Sequence, residues 1–230
     1  MRREESMARA KAVRKQSQRP RAARRPAGKR APYHHGDLRR GLLDAALHIL
    51  GGAGSAALTL RAAARQAGVS QAAPYRHFAD KEALLAAVAE EGYLSLTAAM
   101  RAAAAPHSNL VARFAAVGQT YVRYAVEHPA QFRVMFGREL APRERPPGVS
   151  AAAQETFALL TTAIEQAQQA GLIRPGDPGD QAIASWSMVH GLAGLLLDGR
   201  IDPGTQDLDA FIFRVVQYLF LGLRNDAPSR

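Results

Sequence analysis

The sequence of 230 residues contains no cysteine. This absence excludes a disulfide framework and a thiolate metal site. The sequence also has no signal-peptide pattern and no apolar run of about 18 or more residues. The longest apolar stretch, residues 182–197, carries two serines and His190, so we interpret it as a buried helix rather than a membrane span. We therefore expect a soluble, cytoplasmic protein with no membrane partner.

Arrangements of side chains that carry catalysis are also missing. There is no nucleophile paired with a base, no pair of carboxylates at catalytic spacing and no glycine-rich loop that would cradle a phosphate. The adjacent His34 and His35 have no third ligand nearby at helical spacing, which favours a polar entry turn or a phosphate contact over a metal site. We therefore expect no enzymatic activity, no metal and no cofactor.

Residues 59–78 predict two short helices joined by a tight turn. Thr59 is a good N-cap for the first helix. Gly68 suits its end, because glycine adopts the left-handed conformation there without a steric penalty. Ser70 is predicted to cap a second helix that runs on through His77. This is a helix-turn-helix arrangement, in which the second helix lies in the major groove of DNA.

Four further stretches strengthen this interpretation. The run YRHFADKEALL, residues 75–85, resembles the signature of the TetR family of bacterial transcriptional regulators, and YHHGDLR, residues 33–39, resembles the helix-entry motif of one TetR subgroup. HPAQFRVMFG, residues 128–137, and WSMVHGLAGLLLDGR, residues 186–200, resemble pieces of the WHG-type C-terminal domain of the same subgroup. The resemblance implies a DNA-binding regulator, and repression is the commoner mode in this family.

One position departs from the family pattern. Pro74 stands where many members carry Leu or another aliphatic residue. A proline is tolerated in the first turn of a helix, where its missing N–H costs little. The recognition helix is therefore expected to begin one residue later than usual, which would alter its base-reading face.

Positive charge is concentrated at the N-terminus. Residues 1–31 hold 12 of the 30 basic residues and 2 of the 20 acidic ones, so they carry the whole net charge of +10 and the remainder is neutral. With almost no large apolar side chains, this segment is expected to be a disordered basic tail that contacts phosphates or the minor groove. A solvated tail without function is the alternative, and Met1 and Met7 both remain possible starts.

Helical spacing dominates the rest of the chain, and no segment alternates with the period of a strand. The predicted fold class is all-α with about nine helices. A three-helix helix-turn-helix domain is expected over residues 32–93, and a larger helical domain for effector binding and dimerisation over residues 94–225. A helix at residues 81–104 is predicted to connect the two parts, and the helices that follow are predicted at residues 109–127, 130–136, 150–170, 181–197 and 208–223.

The resemblance places eight residues where TetR family members approach DNA, and Arg76 is a ninth candidate among them. Gln71 and Ala72 begin the recognition helix, where an amide can bond adenine and a methyl group can touch thymine. Five more suit phosphate oxygens, namely Thr59, Ser70, Tyr75, His77 and Lys81, and Arg76 suits either partner. Thr59 and Ser70 could equally serve only as caps, and Tyr75 could be packing. The complete set is Thr59, Arg61, Ser70, Gln71, Ala72, Tyr75, Arg76, His77 and Lys81.

A single helix-turn-helix makes too few contacts for useful specificity, so we expect a homodimer on a palindromic operator. Two glycines on the penultimate helix allow close approach, and the last helix is apolar on more than one face. The predicted interface is a two-fold four-helix bundle, with a monomer as the alternative. Its residues are Gly191, Gly194, Leu195, Phe211, Val215, Tyr218 and Leu219.

Aromatic and polar-tipped residues of the middle helices are candidates for an effector pocket, with plain core packing as the alternative. Trp186 and His190 are four residues apart and share a helix face. The candidates are Phe114, Tyr121, Tyr124, Phe132, Phe157, Trp186 and His190. We hypothesise that a small molecule in this pocket shifts the helix at residues 81–104 and spreads the two reading heads.

The sequence therefore predicts a ligand-responsive, dimeric repressor associated with the bacterial nucleoid, with double-stranded DNA, itself and an unidentified small molecule as partners. The alternative is an effector-independent or architectural DNA-binding protein whose affinity comes mainly from the basic tail.

Overall fold

A computed structural model describes residues 35–137, 140 and 146–224. The predicted basic tail, residues 1–31, and most of the predicted loop at residues 137–148 lie outside the described residues. Within the described part of the chain the fold is all-α, as predicted, with eight α-helices and two 3-10 helices. The β-structure of this part is one isolated antiparallel bridge between Ile173 and Arg224.

The α-helices are α1 (His35–Ala53), α2 (Leu60–Gln66), α3 (Lys81–Ala104), α4 (Leu110–Glu127), α5 (Pro129–Phe136), α6 (Pro147–Gln169), α7 (Pro178–Leu197) and α8 (Leu208–Leu223). The 3-10 helices are Ser55–Ala57 and Pro74–Arg76. The predicted count of about nine differs from eight because the recognition helix is not α-helical.

Helix α2 forms as its caps predict. The hydroxyl of Thr59 accepts a hydrogen bond of 3.0 Å from the N–H of Ala62. Gly68 follows the helix with φ of 69°, in the left-handed region. The N–H of Val69 then bonds the carbonyl of Ala64 at 3.0 Å, which closes the helix and turns the chain.

The segment after this turn, residues 70–78, is called the reading segment below. The prediction of an α-helix capped by Ser70 is wrong. Pro74 has no N–H, so it cannot make the helical bond to the carbonyl of Ser70, and that carbonyl accepts from Ala73 at 3.0 Å instead. Only Pro74–Arg76 forms a 3-10 helix, and the Ser70 side chain caps no helix in the described chain.

Helix α3 has the predicted bounds and runs through the middle of the molecule. Asp80 caps it, because its carboxylate accepts a hydrogen bond of 2.7 Å from the N–H of Ala83. The helix is long and apolar enough to cross a membrane by composition, but 61% of its apolar window is buried inside the protein, as in the core helix of a soluble domain. The domain boundary predicted between residues 93 and 94 falls inside this continuous helix.

Two helices begin three residues earlier than predicted. Helix α6 starts at Pro147 instead of residue 150, and α7 starts at Pro178 instead of residue 181. Proline is favourable at the first helical position, where its N–H would have no partner in any case. Asp177 caps α7 by accepting a hydrogen bond of 2.9 Å from the N–H of Asp180.

The core has two parts. The larger cluster surrounds α3 and receives side chains from α1, α2 and the helices that follow. The smaller cluster lies where α4, α6, α7 and α8 meet, and it includes Phe114, Ile164 and Leu223. The N–H of Arg174 bonds the carbonyl of Leu223 at 3.1 Å, which fixes the loop between α6 and α7 against the end of α8.

Candidate nucleic-acid interface and ligand cavity

Most of the predicted DNA-contacting side chains are exposed on the N-terminal part of the fold. Tyr75 is 54% exposed, so it is not a packing residue of the reading segment. The exposed members of the predicted set are Thr59, Arg61, Ser70, Gln71, Ala72, Tyr75 and Arg76. They lie on α2, its cap and the reading segment, on both sides of the turn at Gly68.

Two members of the set are less accessible. The ammonium group of Lys81 donates a hydrogen bond of 2.6 Å to the carbonyl of Ser55, so it ties the start of α3 to the turn before α2. His77 is half-buried, and its Nε2 is buried without a hydrogen-bond partner among the described residues. Both side chains therefore take part in the packing around the reading segment. They are less accessible to DNA than the seven exposed members of the set.

One basic residue near the reading segment was not predicted. The guanidinium of Arg39 on α1 lies 5.8 Å from the centre of the Phe78 ring, within range of a cation–π interaction. Phe78 is buried, while Arg39 is exposed. A positive charge is therefore held beside the reading segment. Arg39 is the last residue of the YHHGDLR motif, so this motif could have identified it from the sequence.

A cavity of about 800 Å³ lies among α3, α4, α5, α6 and α7. This volume is within the usual range for sites that hold small molecules. The wall is mostly apolar. It is formed by Tyr93, Tyr121, Phe136, Ala153, Gln154, Thr156, Phe157, Ala158, Leu160, Thr161, Thr162, Glu165, Ile183 and Trp186.

A chain of hydrogen bonds connects three ring side chains at this wall. The indole N–H of Trp186 donates to the Tyr121 hydroxyl at 3.0 Å, and that hydroxyl lies 2.8 Å from Nδ1 of His190. Burial raises the pKa of the Tyr121 phenol and lowers the pKa of the His190 imidazole. Both rings are therefore neutral near pH 7. Phe132 stacks on His190 at 5.6 Å and holds the imidazole in place.

The predicted pocket residues are distributed over three environments. Tyr121, Phe157 and Trp186 line the cavity. His190 and Phe132 do not line it but pack against Tyr121.

The other two predicted pocket residues lie elsewhere. Phe114 belongs to the smaller core cluster and borders a void of about 30 Å³. The one hydroxyl proton of Tyr124 is shared between the carbonyl of Gly92 at 3.1 Å and the side-chain oxygen of Gln131 at 3.2 Å, which makes it a structural contact between helices.

Several wall residues were missed, including Tyr93, Phe136, Thr156, Glu165 and Ile183. Phe136 lies within HPAQFRVMFG, a stretch that the sequence analysis singled out for its resemblance. The polar members gave no signal of their own, because threonine and glutamate are common on helix surfaces.

Helix α5 joins the cavity to the N-terminal helices. Its last residue, Phe136, lines the cavity. At its other end Ala130 contacts α1, where a Cβ added at Gly51 would lie 3.8 Å from the Ala130 Cβ. The eight-residue helix therefore touches both the cavity and the domain that carries the reading segment.

Between these ends α5 is bound closely to α3. The side-chain amide of Gln131 donates to the carbonyl of Val88 at 3.1 Å, and the Tyr93 hydroxyl donates to the carbonyl of Met135 at 2.7 Å. A Cβ added at Gly92 would lie only 2.6 Å from Sδ of Met135. The absence of a side chain at Gly92 is what permits this approach.

The predicted interface residues lie on α7 and α8 and differ in accessibility. Gly191, Leu195 and Tyr218 are exposed, Tyr218 to 70%. A Cβ added at Gly191 or Gly194 would meet no atom within 4 Å, so the space over both glycines is open. The remaining predicted residues, Phe211, Val215 and Leu219, are half-buried at the edge of the core.

The same two helices expose three large apolar residues that the sequence analysis did not assign to the interface: Ile183, Phe213 and Leu221. Ile183 and Leu195 lie twelve residues apart on the exposed side of α7, with Ser187 and Gly191 between them at intervals of four. The exposed apolar surface of α7 and α8 is called the pairing face below.

Family models match both halves of the chain. Residues 42–88 match the model described as bacterial regulatory proteins of the tetR family, and residues 114–219 match a tetracycline repressor-like C-terminal domain. The two matches together span well over half of the chain. They cover the reading segment and most residues of the cavity wall and of the pairing face.

Individual relatives agree with these matches. The HTH-type transcriptional regulator BetI of Rhizobium meliloti (strain 1021) is 42% identical over 78 residues, 32% of this chain, and the chain spans only 38% of that regulator's length. A solved protein of unknown function from Rhodococcus sp. RHA1 is 38% identical, with a TM-score of 0.75 over 85% of this chain and 100% of that one. A tetR-family regulatory protein from Rhodococcus RHA1 is 26% identical, with a TM-score of 0.66 over 81% of this chain and 96% of that one.

Proposed function

Since the chain belongs to the TetR family of bacterial transcriptional regulators, we propose that it is a ligand-responsive repressor that binds a palindromic operator as a homodimer. Members of this family are soluble, cytoplasmic DNA-binding transcription factors rather than enzymes. This protein acts at the nucleoid. The observation that carries the ligand response is the position of α5, which lines the cavity at one end and contacts α1 at the other.

The reading segment and α2 contact the operator. Gln71 and Ala72 read base edges in the major groove, since both are exposed directly after the turn that ends α2. Thr59, Tyr75 and Arg76 bind phosphate oxygens on either side. The 3-10 helix Pro74–Arg76 has only three residues and is more tightly wound than an α-helix, so few side chains reach the bases.

A second set of contacts comes from the first turns of α1 and α3. Arg39 supplies positive charge beside the reading segment, and Lys81 reaches phosphate only by giving up its bond to the Ser55 carbonyl. Arg39→Ala should therefore weaken binding of all DNA sequences and reduce its salt dependence. Gln71→Ala should weaken the operator selectively.

Two copies of the chain pair through the pairing face. Burying exposed apolar side chains is the main driving force for such an interface, and the open space over Gly191 and Gly194 admits a partner helix closely. Leu195→Asp should therefore convert the dimer to a monomer in sedimentation analysis. Leu94→Asp is the matched control, because Leu94 is equally exposed but lies on α3, away from α7 and α8. If both variants sediment like the wild type, the pairing face is not the interface.

Ligand binding is coupled to DNA through α5. A molecule in the cavity presses on Phe136, which cannot yield independently because Gln131 and Met135 hold α5 against α3. Displacement of α5 therefore moves α3 and α1 together and changes the separation of the two reading segments in the dimer. Coupling of this kind is reciprocal, so operator DNA must weaken ligand binding by the same factor.

The first experiment that tests this proposal is the selection of DNA fragments by the protein. Genomic fragments retained by the purified full-length protein are sequenced, and operator affinity is then measured with and without compounds suggested by the neighbouring genes. A common palindrome and release by one such compound are expected. Retention of random fragments at moderate salt would contradict the proposal of sequence-specific regulation. An operator affinity that no compound changes would contradict the proposal of induction by a ligand.

The second candidate is an effector-independent DNA-binding protein dominated by its tail. It is favoured by the location of the whole net charge of +10 in residues 1–31. Deleting residues 1–31 distinguishes the two candidate functions. A repressor keeps its preference for the operator after the deletion and loses only general affinity, whereas an architectural protein loses most of its binding.

A further inference from the structure

Given the effector role proposed above for the cavity, the chemistry of its wall restricts the class of ligand. Among the described wall residues the one formal charge is the carboxylate of Glu165 on α6. This side chain is exposed at the rim and forms no ion pair with the described chain. No Lys, Arg or His belongs to the wall as described. An apolar space with one unpaired carboxylate attracts positive charge and repels negative charge.

The ring donors of the wall are already used inside the protein. The indole N–H of Trp186 is committed to the oxygen of Tyr121 at 3.0 Å. The Tyr121 proton has an acceptor in Nδ1 of His190 at 2.8 Å. When Nδ1 is the acceptor, the indole N–H, the phenol O–H and Nδ1 each have a hydrogen-bond partner. In the opposite tautomer Nδ1 carries a proton, and the phenol proton has no partner. The phenol oxygen therefore offers the cavity a lone pair rather than a proton.

Two hydroxyl groups elsewhere in the wall are committed in the same way. The Tyr93 hydroxyl donates to the carbonyl of Met135 at 2.7 Å. The Thr156 hydroxyl donates to the carbonyl of Ala152 at 2.9 Å. Among the described wall side chains, the amide of Gln154 and the hydroxyl of Thr162 remain as donors. A carboxylate, phosphate or sulfate in the cavity would exchange its full hydration for these two neutral donors, which is costly for an anion.

Positive side chains lie nearby but outside this space. Arg101 and Arg113 line a separate cleft of about 360 Å³, which shares only Ala158 and Thr162 with the cavity. The guanidinium of Arg101 is paired with Glu155 at 2.8 Å. The charge of Arg101 is therefore compensated by its own partner, and neither guanidinium belongs to the described wall of the cavity.

We infer that the effector is an apolar organic cation. Its positive centre lies against Glu165 at the rim, and its hydrophobic body fills the space between α6 and α7. The faces of Trp186, Tyr121 and Phe157 add to the attraction, because aromatic rings stabilise cations that approach their faces.

The test compares two ions that differ in the sign of their charge while sharing the same size and shape, tetraphenylphosphonium and tetraphenylborate. Trp186 is the single tryptophan of the chain and lies in the cavity wall, so its fluorescence reports binding there and not at the basic tail. Titration of the full-length protein at physiological salt should show the cation binding about tenfold more tightly than the anion, as expected for one partly solvated charge.

Two variants test whether Glu165 causes the preference for the cation over the anion. Glu165→Gln should bring the two affinities within about twofold of each other, since it removes the charge and keeps the shape. Glu127→Gln, at the exposed end of α4 and outside the cavity, should leave the tenfold ratio unchanged. Equal affinities in the wild type, tighter binding of the borate, or a ratio that survives Glu165→Gln would overturn the inference.

Failure of this inference is distinguishable from failure of the proposed function. If both ions bind equally, the cavity remains a ligand site and only the ligand class is wrong. If neither ion changes the Trp186 signal, both the ligand class and the effector role of the cavity are overturned. If the cation binds selectively but leaves operator affinity unchanged, the ligand class stands and induction fails.

Discussion

Replacing Gly92 with Ala is expected to push α5 away from α3. The added Cβ would lie 2.6 Å from Sδ of Met135 and 2.9 Å from Cγ of Gln131, whereas ordinary contacts are about 3.5–4.0 Å. Met135 is fully buried, and Gln131 is held by its bond to the Val88 carbonyl, so neither side chain can turn into solvent. The helix itself must therefore retreat by roughly 1 Å.

Two opposing terms set the size of this effect on stability. Forcing extra atoms into a packed core costs about 1–3 kcal/mol. Replacing glycine with alanine inside a helix raises the free energy of unfolding by about 1 kcal/mol. We therefore expect Gly92→Ala to lower the free energy of unfolding by about 1 kcal/mol and Tm by about 2–4 °C for a chain of this size. Operator affinity should fall as well, because α5 also contacts α1.

Thermal unfolding followed by circular dichroism checks this prediction, with Gly52→Ala as the matched control. Gly52 also lies in a helix, but a Cβ added there meets no atom within 4 Å. Only the helical gain then remains, so this variant should unfold at the wild-type temperature or above it. If Gly92→Ala is as stable as Gly52→Ala, the crossing of α3 and α5 is not close-packed and α5 is not a rigid connection.

Three further substitutions test individual contacts. Thr59→Ala removes the 3.0 Å cap bond to Ala62, so it should cost about 1 kcal/mol and lower Tm in the same assay. Tyr121→Phe takes away the acceptor of the Trp186 N–H, so it should cost about 1–2 kcal/mol and shift tryptophan emission. Burial lowers the pKa of His190, so the unfolded chain takes up this proton first as pH falls. Stability should therefore be constant above the unfolded pKa of about 6.5 and decrease below it, and denaturation curves of His190→Gln should show a weaker decrease on acidification.

Elements specified by local signals could be predicted from the sequence. Helix α3 has the predicted bounds because Asp80 provides a cap. Helix α2 likewise ends at a left-handed glycine after starting at Thr59. The reading segment was predicted wrongly, because Pro74 offers no N–H to the carbonyl of Ser70, which accepts from the N–H of Ala73 instead. The family pattern favoured a helix there, and the backbone chemistry of proline prevailed.

The site was only partly predictable, because a helical pattern does not show which neighbour a side chain faces. Tyr121 and Tyr124 are three residues apart on α4 and equally buried, yet the first lines the cavity and the second bonds the carbonyl of Gly92. Phe136 and Glu165 reach the cavity only through the packing of α5 and α6 against α3, which no local pattern encodes. Exposure of the pairing face likewise became measurable only in the folded chain.

The number of chains bound to one selected operator duplex tests the central claim most directly. The claim is that two reading segments, joined through the pairing face, grip one palindrome and are moved apart through α5. Native mass spectrometry of the full-length protein on the selected duplex should give two chains per duplex, with the Leu195→Asp variant failing to form this complex. One wild-type chain per duplex, or equal occupancy of a scrambled duplex at moderate salt, would contradict the account.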